Sequence, residues 1–256
     1  ANCDAATLQC LKSSDTVGTG PEALGWTNTS AAAKDVYLIV SRASGTAAPG
    51  ETFTLTVTEG PVPYTESTIT GQCDSVFGGT DLLTSTTTPA LSDDSVSAPQ
   101  ALPFAFSFFG TPVTHYTANS NGLLQLNTSA LAGNNSYNSV AIPDPRPPNG
   151  FAAPLWDDLS PQATSKVSAI VIGGGNQRHL TVEWTDFGFL TGTSRVRFQA
   201  KLYEGTNVIE FHYCSLTGTS GQETGSQASI GLENLAGTTG LQHSFNTAGS
   251  ISTANG

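Results

Sequence analysis

Charged residues, methionine and long apolar runs are scarce or absent in this sequence of 256 residues. Only 11% of the residues are charged, and 9 Lys and Arg stand against 20 Asp and Glu, which gives a formal net charge of −11. Because nucleic-acid affinity comes largely from Lys and Arg on phosphates, this balance argues against nucleic acid and against an anionic membrane surface. No apolar run approaches the ~20 residues of a spanning helix, so we expect no membrane insertion.

Cysteine is present only four times, as Cys3, Cys10, Cys73 and Cys214, and no CxxC pair occurs. No histidine lies at zinc-ligand spacing from any of them. An even number of cysteines in a Ser/Thr-rich, Lys-poor chain favours two disulfides and an oxidising compartment. Of the three possible pairings we favour Cys3–Cys10, a short local loop, which leaves Cys73–Cys214; four free buried thiols are the alternative.

Period-two alternation of apolar and polar residues dominates the chain, and helical periodicity is nearly absent. This pattern, with turn signals at sandwich-like spacing, predicts an all-β, antiparallel, jelly-roll-like β-sandwich with a smaller partial β-sandwich at the N-terminus. Pro61 and Pro63 break the alternation after the second strand and indicate a boundary. The predicted strands are 35–41, 51–58, 102–109, 113–118, 123–127, 151–156, 166–172, 179–186, 195–203, 208–213, 226–232 and 241–245.

The best-defined hairpin joins 195–203 to 208–213. Its alternation places Val196, Phe198, Ala200 and Leu202 on one face, where Ile209, Phe211 and Tyr213 can meet them. The opposite face carries Arg195, Arg197, Gln199 and Lys201 beside Glu210 and His212. If Leu202 lies opposite Ile209, then Lys201 and Glu210 are cross-strand neighbours, and we interpret this polar row as a solvated sheet face.

No catalytic constellation is recognisable in the sequence. A serine hydrolase needs a nucleophile elbow such as GxSxG, a base and an orienting acid, and GxSxG is absent. The loop fragment GTSG at 218–221 is most simply a turn, and the three glycines at 173–175 are most simply a hairpin loop. The four histidines lie in or beside predicted strands without a neighbouring nucleophile motif. We therefore predict no catalytic residue and no enzyme activity.

Two acidic pairs, Asp93-Asp94 and Asp157-Asp158, stand at strand ends. Aspartates there most often accept hydrogen bonds from loop backbone amides, which is the interpretation we favour. Calcium held by Asp157 and Asp158 is the alternative, although no EF-hand spacing surrounds them. Glycosidase-like acid–base chemistry is the third interpretation. We expect Trp156 to be buried, and no cofactor other than that calcium ion.

An ordered series of motifs resembles a known module. The series is LPFAFSFFG at 102–110, NSNG at 119–122, NGFAAPLWDDL at 149–159, VEW at 182–184, KLYEG at 201–205, IEF at 209–211 and SIGLEN at 229–234. Over residues 76–256 it resembles the nidogen-like β-sandwich module of secreted bacterial proteins. Residues 1–60, with GWTN at 25–28, VYLIV at 36–40 and FTLTV at 53–57, resemble the later part of a bacterial pre-peptidase C-terminal domain. The implied layout has a linker at 61–75.

Such modules are non-catalytic attachments on large secreted proteins, so the resemblance implies an extracellular structural or adhesive role. Assembly into a surface filament from identical subunits is one form of that role, and attachment to cell-surface or matrix components is the other. The alternatives are an accessory region of a secreted hydrolase, such as a protease, and a carbohydrate-binding module. For the last, Trp26 or Trp184 would have to be exposed, whereas the alternation around Trp184 predicts a core position.

The N-terminal region raises one further expectation. It contains few clear strands, and two strands alone are marginal in water. We therefore expect residues 1–60 to complete their core with strands from elsewhere, a neighbouring subunit being the favoured source.

Overall fold

The computed structural model of the chain describes residues 64–175 and 177–253. Each of the ten strands predicted between residues 102 and 245 is present in this part, and one short strand near residue 80 was not predicted. No helix among these residues is long and apolar enough to cross a membrane. The elements are β1 Thr80–Leu83, β2 Gln100–Phe108, β3 Thr111–Ala118, β4 Leu124–Asn127, β5 Phe151–Trp156, β6 Leu159–Ile172, β7 His179–Phe189, β8 Arg195–Tyr203, β9 Ile209–Thr217, the 3-10 helix Gln222–Thr224, β10 Ser229–Glu233 and β11 Gly240–Phe245.

The strands form two antiparallel sheets that pack as a sandwich, which confirms the predicted fold class. One sheet has five strands in the order β1-β6-β7-β8-β9, and the other has six in the order β11-β10-β5-β4-β3-β2. Most neighbours in a sheet are also neighbours along the chain, as expected where short turns join antiparallel strands. The predicted Gly-rich hairpin loop joins β6 to β7, and Gly122 takes a positive φ of 82° in the tight turn between β3 and β4.

Aromatic side chains fill the space between the sheets. Trp184 of β7 and Phe198 of β8 are fully buried and stack with ring centroids 5.1 Å apart. The indole N–H of Trp184 donates to the carbonyl of Asn119, so its one polar group is satisfied. Trp156 is also fully buried and donates to the carbonyl of Ser136. The core position predicted for Trp184 and the burial predicted for Trp156 are confirmed, although Trp156 lies in a separate apolar cluster with Leu123, Ile142 and Phe151.

The register of the β8–β9 hairpin follows its alternation of residues. Leu202 lies opposite Ile209 and Lys201 lies opposite Glu210, as predicted. The apolar row of β8 faces the core, and a bulge between Arg197 and Phe198 shifts the pairing toward the end of β9.

The middle of the opposite face of the same hairpin is buried, so the prediction of a solvated face was wrong there, while Arg195 and Arg197 are partly exposed. Gln199 is 0% exposed, Lys201 4% and His212 3%. The reason is a stretch of chain before β1, residues 64–75, whose last residues contact this face of the five-stranded sheet through Gln72 and Asp74. We call residues 64–75 the strap.

A disulfide joins the strap to β9. Cys73 and Cys214 are bonded with their Cα atoms 5.7 Å apart, which confirms this predicted pair. The predicted Cys3–Cys10 pair, the N-terminal strands, Trp26 and the partial N-terminal sandwich all lie outside the described residues.

Candidate functional site

Three of the four paired aspartates meet at one end of the sandwich. One carboxylate oxygen from each of Asp93, Asp94 and Asp158 lies within 4.8 Å of the others. Asp93 is exposed, and the other two are partly buried. Hard cations such as calcium take oxygen ligands of this type, so the group has suitable chemistry for one. We call these three residues the acidic group.

Asn121 holds the two loops of the acidic group together. Its side-chain amide donates to Asp94 Oδ1 at 2.7 Å, and its side-chain oxygen accepts the N–H of Leu159 at 3.0 Å. Its backbone carbonyl accepts the N–H of Asp157. The next residue must be glycine, because a Cβ atom on Gly122 would clash with the carbonyl of Leu155. The Asn121-Gly122 turn therefore also positions the carboxylates.

Burial and mutual repulsion disfavour the charged forms of Asp93 and Asp158. The pKa of Asp158 is raised above its ordinary value by burial first, and then by the charges of Asp93 and Asp94. The pKa of Asp93 is raised for the same reasons, with Asp94 as the repelling charge. Like charges this close destabilise one another unless a cation or a proton is taken up.

Asp157 is separate from the acidic group, although the sequence predicted that it would act with Asp158. It is 5% exposed, and its Oδ1 accepts the N–H of Asp158 at 2.8 Å. Its Oδ2 is buried without a hydrogen-bond partner. Burial, and secondarily the charge of Asp158, raise the pKa of Asp157 to about 6, while the hydrogen bond from Asp158 opposes the rise.

Calcium at Asp157 and Asp158 stays a prediction, and a site on the acidic group, which contains Asp158 but not Asp157, can be tested through Asp93. Substitution of Asp93 by Asn removes one of three adjacent charges, so we expect the variant to unfold at a higher temperature than the wild type in EDTA. If the acidic group binds calcium, millimolar calcium will raise the Tm of the wild type and raise that of Asp93→Asn less. Equal calcium responses would contradict a site that includes Asp93.

The histidines each contact a fixed neighbour. Three pair with carboxylates and the fourth with the adjacent threonine hydroxyl: His179 Nε2 lies 2.8 Å from Asp74 Oδ2, His212 Nε2 2.9 Å from Glu210 Oε2, His243 Nδ1 2.7 Å from Glu66 Oε1, and His115 Nδ1 2.8 Å from Thr114 Oγ1. In these contacts no histidine meets a serine or cysteine side chain. The absence of catalysis stays a prediction.

Two serines, Ser194 and Ser220, contact the buried carboxylate of Glu223. The hydroxyls of Ser194 and Ser220 donate to Glu223 Oε2 at 2.9 Å and 2.8 Å. Burial alone would raise the pKa of Glu223, but these and backbone hydrogen bonds lower it. Ser220 belongs to the GTSG fragment predicted as a turn, and the 3-10 helix follows it directly. Both hydroxyls thus serve to satisfy a buried carboxylate.

The strap contributes the residue that sequence reasoning missed, Asp74. Its Oδ2 accepts the hydroxyl of Thr181 at 2.6 Å and lies 3.2 Å from the ammonium of Lys201. Burial would raise the pKa of Asp74, but hydrogen bonds from Thr181 and His179 and the Lys201 charge lower it. The side chain of Gln199 makes two hydrogen bonds with the backbone of Asp74: its oxygen accepts from the N–H, and its nitrogen donates to the carbonyl.

The buried carboxylate of Glu233 on β10 makes the stability of the fold depend on pH. It is 0% exposed, and burial raises its pKa to about 7 although it accepts the N–H of Asp144. The folded protein takes up a proton here that the unfolded chain, with a pKa near 4.5, does not. The free energy of unfolding should therefore rise as pH falls from 8 through 7 toward about 4.5.

Glu233→Gln should flatten this rise, as measured by urea unfolding at several pH values. Asp157, with its pKa of about 6, acts in the same direction over a narrower window and will leave a residual slope. Glu204, whose pKa is lowered by Arg178, is the matched control, because Glu204→Gln removes a carboxylate whose titration lies below the window. An unchanged slope in Glu233→Gln would contradict the assignment.

Comparison with known proteins gives one match. A family model described as NIDO related matches residues 63–256. No curated protein and no solved structure matches the chain. The matched range covers all the described residues and supports the nidogen-like resemblance expected for 76–256. The pre-peptidase-like resemblance of residues 1–60, the bacterial origin and the boundaries of the linker stay predictions.

Proposed function

Because the chain belongs to the NIDO-related family, we propose that it is an extracellular, non-catalytic module with a structural or adhesive role. The family match favours this class of protein over an enzyme. The Cys73–Cys214 disulfide supports an extracellular location, since structural disulfides persist in oxidising compartments.

The observation that carries the proposal is that the described sandwich commits its polar groups to internal contacts. Among buried side-chain nitrogens and oxygens of the described residues, only Thr117 Oγ1 and Asp157 Oδ2 have no hydrogen-bond partner. A hydrolase instead keeps a nucleophile and a base poised toward an open cleft. Side chains that are bound to one another stabilise a fold and leave its outer surface for contact with partners.

Self-association into a filament is the form of this role that we favour. Only 11% of the residues are charged, so a contact between copies needs to bury few charges. Each sheet also ends in two edge strands, β1 and β9 in one and β2 and β11 in the other. Edge strands carry backbone groups that can pair with a strand of another chain, which is a common route to assembly.

The other candidates have less support. A carbohydrate-binding module uses exposed aromatic side chains to stack on sugars, whereas Trp156 and Trp184 are both fully buried. The accessory role beside a secreted hydrolase fits the same family match, and it predicts a much longer native chain. Native mass spectrometry of the protein from its source would detect that chain.

Electron microscopy and solution mass of the purified full chain test the proposal. We expect ordered filaments or oligomers that grow with concentration, or attachment to immobilised matrix proteins. A monodisperse monomer that attaches to nothing would contradict the structural and adhesive role. Hydrolytic activity that a single His or Ser substitution abolishes would contradict the non-catalytic assignment.

A further inference from the structure

The strap is the path by which the chain enters the sandwich. It begins at Tyr64, reaches β9 at Cys73 and then crosses β8 and β7 through the contacts of Asp74. At Gly79 the chain lies against the backbone of Ala169 in β6, just before β1 joins the edge of the sheet. Tension that passes along the backbone at Tyr64 therefore reaches the strap before it reaches the strands.

Residues 64–72 are held by separate contacts. The ring of Tyr64 packs against Phe108 and Phe109 at the edge of the core, with ring centroids 5.8 Å and 4.9 Å away. Its hydroxyl lies within hydrogen-bond distance of the carbonyls of Ser107 and Asn207, at 3.3 Å and 3.2 Å. Glu66 pairs with His243 where both side chains are partly exposed, and the carbonyl of Gln72 accepts from Lys201 at 2.9 Å. No described residue of this stretch belongs to a β-strand, so there is no ladder that shares the force among many bonds.

Residues 64–72 are held to the sandwich by noncovalent contacts, whereas Cys73 is held to β9 by a covalent bond. The disulfide spans 141 positions of the chain. The closed loop contains β1 to β8 and the first part of β9. A force that arrives at Cys73 crosses the sulfur–sulfur bond to Cys214 and continues toward the C-terminus, so it bypasses the enclosed strands.

We propose that the Cys73–Cys214 disulfide is a mechanical stop: tension entering through the strap detaches residues 64–72 and does not extend residues 74–213, which the disulfide encloses. The biological use of such a stop rests on the proposed structural role, because a filament or adhesive module carries tension along its chain. The path of the force is a property of this chain alone and can be tested separately.

Force–extension measurement of the full chain, with a peptide handle at each end, tests the stop. An extended residue adds at most about 3.6 Å, so the enclosed loop hides about 50 nm of chain. We expect the fully extended oxidised protein to be about 50 nm shorter than the same molecules after a phosphine reductant is added to the cell. This comparison needs no cysteine variant, so it does not depend on the folding of one. Equal lengths before and after reduction would overturn the proposal.

Two matched tyrosine variants test whether the strap is the part that detaches. Tyr64→Phe removes the hydroxyl that holds the start of the strap, so it should lower the force of one early step without changing the length released. Tyr203→Phe removes a comparable hydroxyl bond, to Glu210 at 2.7 Å, inside the closed loop. It should leave every step of the oxidised protein unchanged. The proposal fails if Tyr64→Phe changes no step or if Tyr203→Phe lowers the same one.

The outcomes separate the stop from the proposed function. Chains that assemble or attach but extend equally with and without reductant would retain the structural role and lose the stop. Chains that show the 50 nm difference but neither assemble nor attach would retain the stop and lose the structural role.

Discussion

Replacing Cys73 and Cys214 by serine is expected to lower the free energy of unfolding by about 5 kcal/mol at 25 °C. A crosslink reduces the conformational entropy of the unfolded chain, and the effect grows with the logarithm of the enclosed length, here 141 positions. The total stability of a domain is about 5–15 kcal/mol, so this is a large fraction of it. Urea unfolding of the double variant beside the wild type measures the difference.

Reduction of the folded wild type provides the control. A reductant should move the wild-type transition toward that of the double variant and leave the transition of the variant where it is. If the double variant is already unfolded without denaturant, reduction of the folded wild type still shows how much the disulfide stabilises it. A double variant as stable as the oxidised wild type would mean that the crosslink does not restrict the unfolded chain.

The sequence predicted the strands of the sandwich well because their alternation is regular. In β8 every second residue is apolar, and the hairpin with β9 has the register that this alternation demands. Leu202 opposite Ile209 fixes Lys201 opposite Glu210, because a slip of one residue would turn the apolar row toward the outside. β1 was missed because it has only four residues, TDLL, too few to establish a period.

The covering of the polar face could not be predicted from the same pattern. Alternation tells which side of a strand is polar, but not whether another part of the chain lies over it. The strap residue Asp74 is more than a hundred positions from Thr181, Gln199 and Lys201, and no periodicity marks it. Lys201, expected to face Glu210 in water, instead pairs with Asp74 beneath the strap.

The acidic group shows the same division between local and long-range information. The sequence placed both aspartate pairs at strand ends. Asp157-Asp158 does lie directly between β5 and β6, whereas Asp93-Asp94 lies in a turn within the loop between β1 and β2. It could not tell which carboxylates meet, because Asp94 and Asp158 are brought together by Asn121, which contacts both loops. Asp157 and Asp158 are adjacent in sequence, yet only Asp158 joins the group.

The buried carboxylate of Glu183 on the covered sheet face provides the second large effect. Glu183 is 1% exposed, and both of its oxygens accept from the guanidinium of Arg197, at 2.9 Å and 3.0 Å. Thr185 and Gln199 donate to the same carboxylate. Arg197→Met would remove the only cation in these contacts and leave a buried charge, which costs about 3–5 kcal/mol when a buried pair is broken. We expect a loss near the lower end, about 3 kcal/mol, because Arg197 itself is partly exposed.

Two further variants separate burial of the charge from loss of the arginine. Adding Glu183→Gln to Arg197→Met neutralises the carboxylate, so the double variant should recover much of the stability that the single variant loses. Arg146→Met breaks an ion pair with Asp144 in which the arginine side chain is 78% exposed, and water replaces the lost partner there, so it should unfold close to the wild type. Urea unfolding of the four proteins gives the comparison. If Arg197→Met and Arg146→Met both lower the free energy of unfolding only slightly, the covered face is open to water in solution and the strap does not seal it. If only Arg197→Met causes a large loss and Glu183→Gln restores the stability, the strap and the buried pair act together as one closed layer over the sheet.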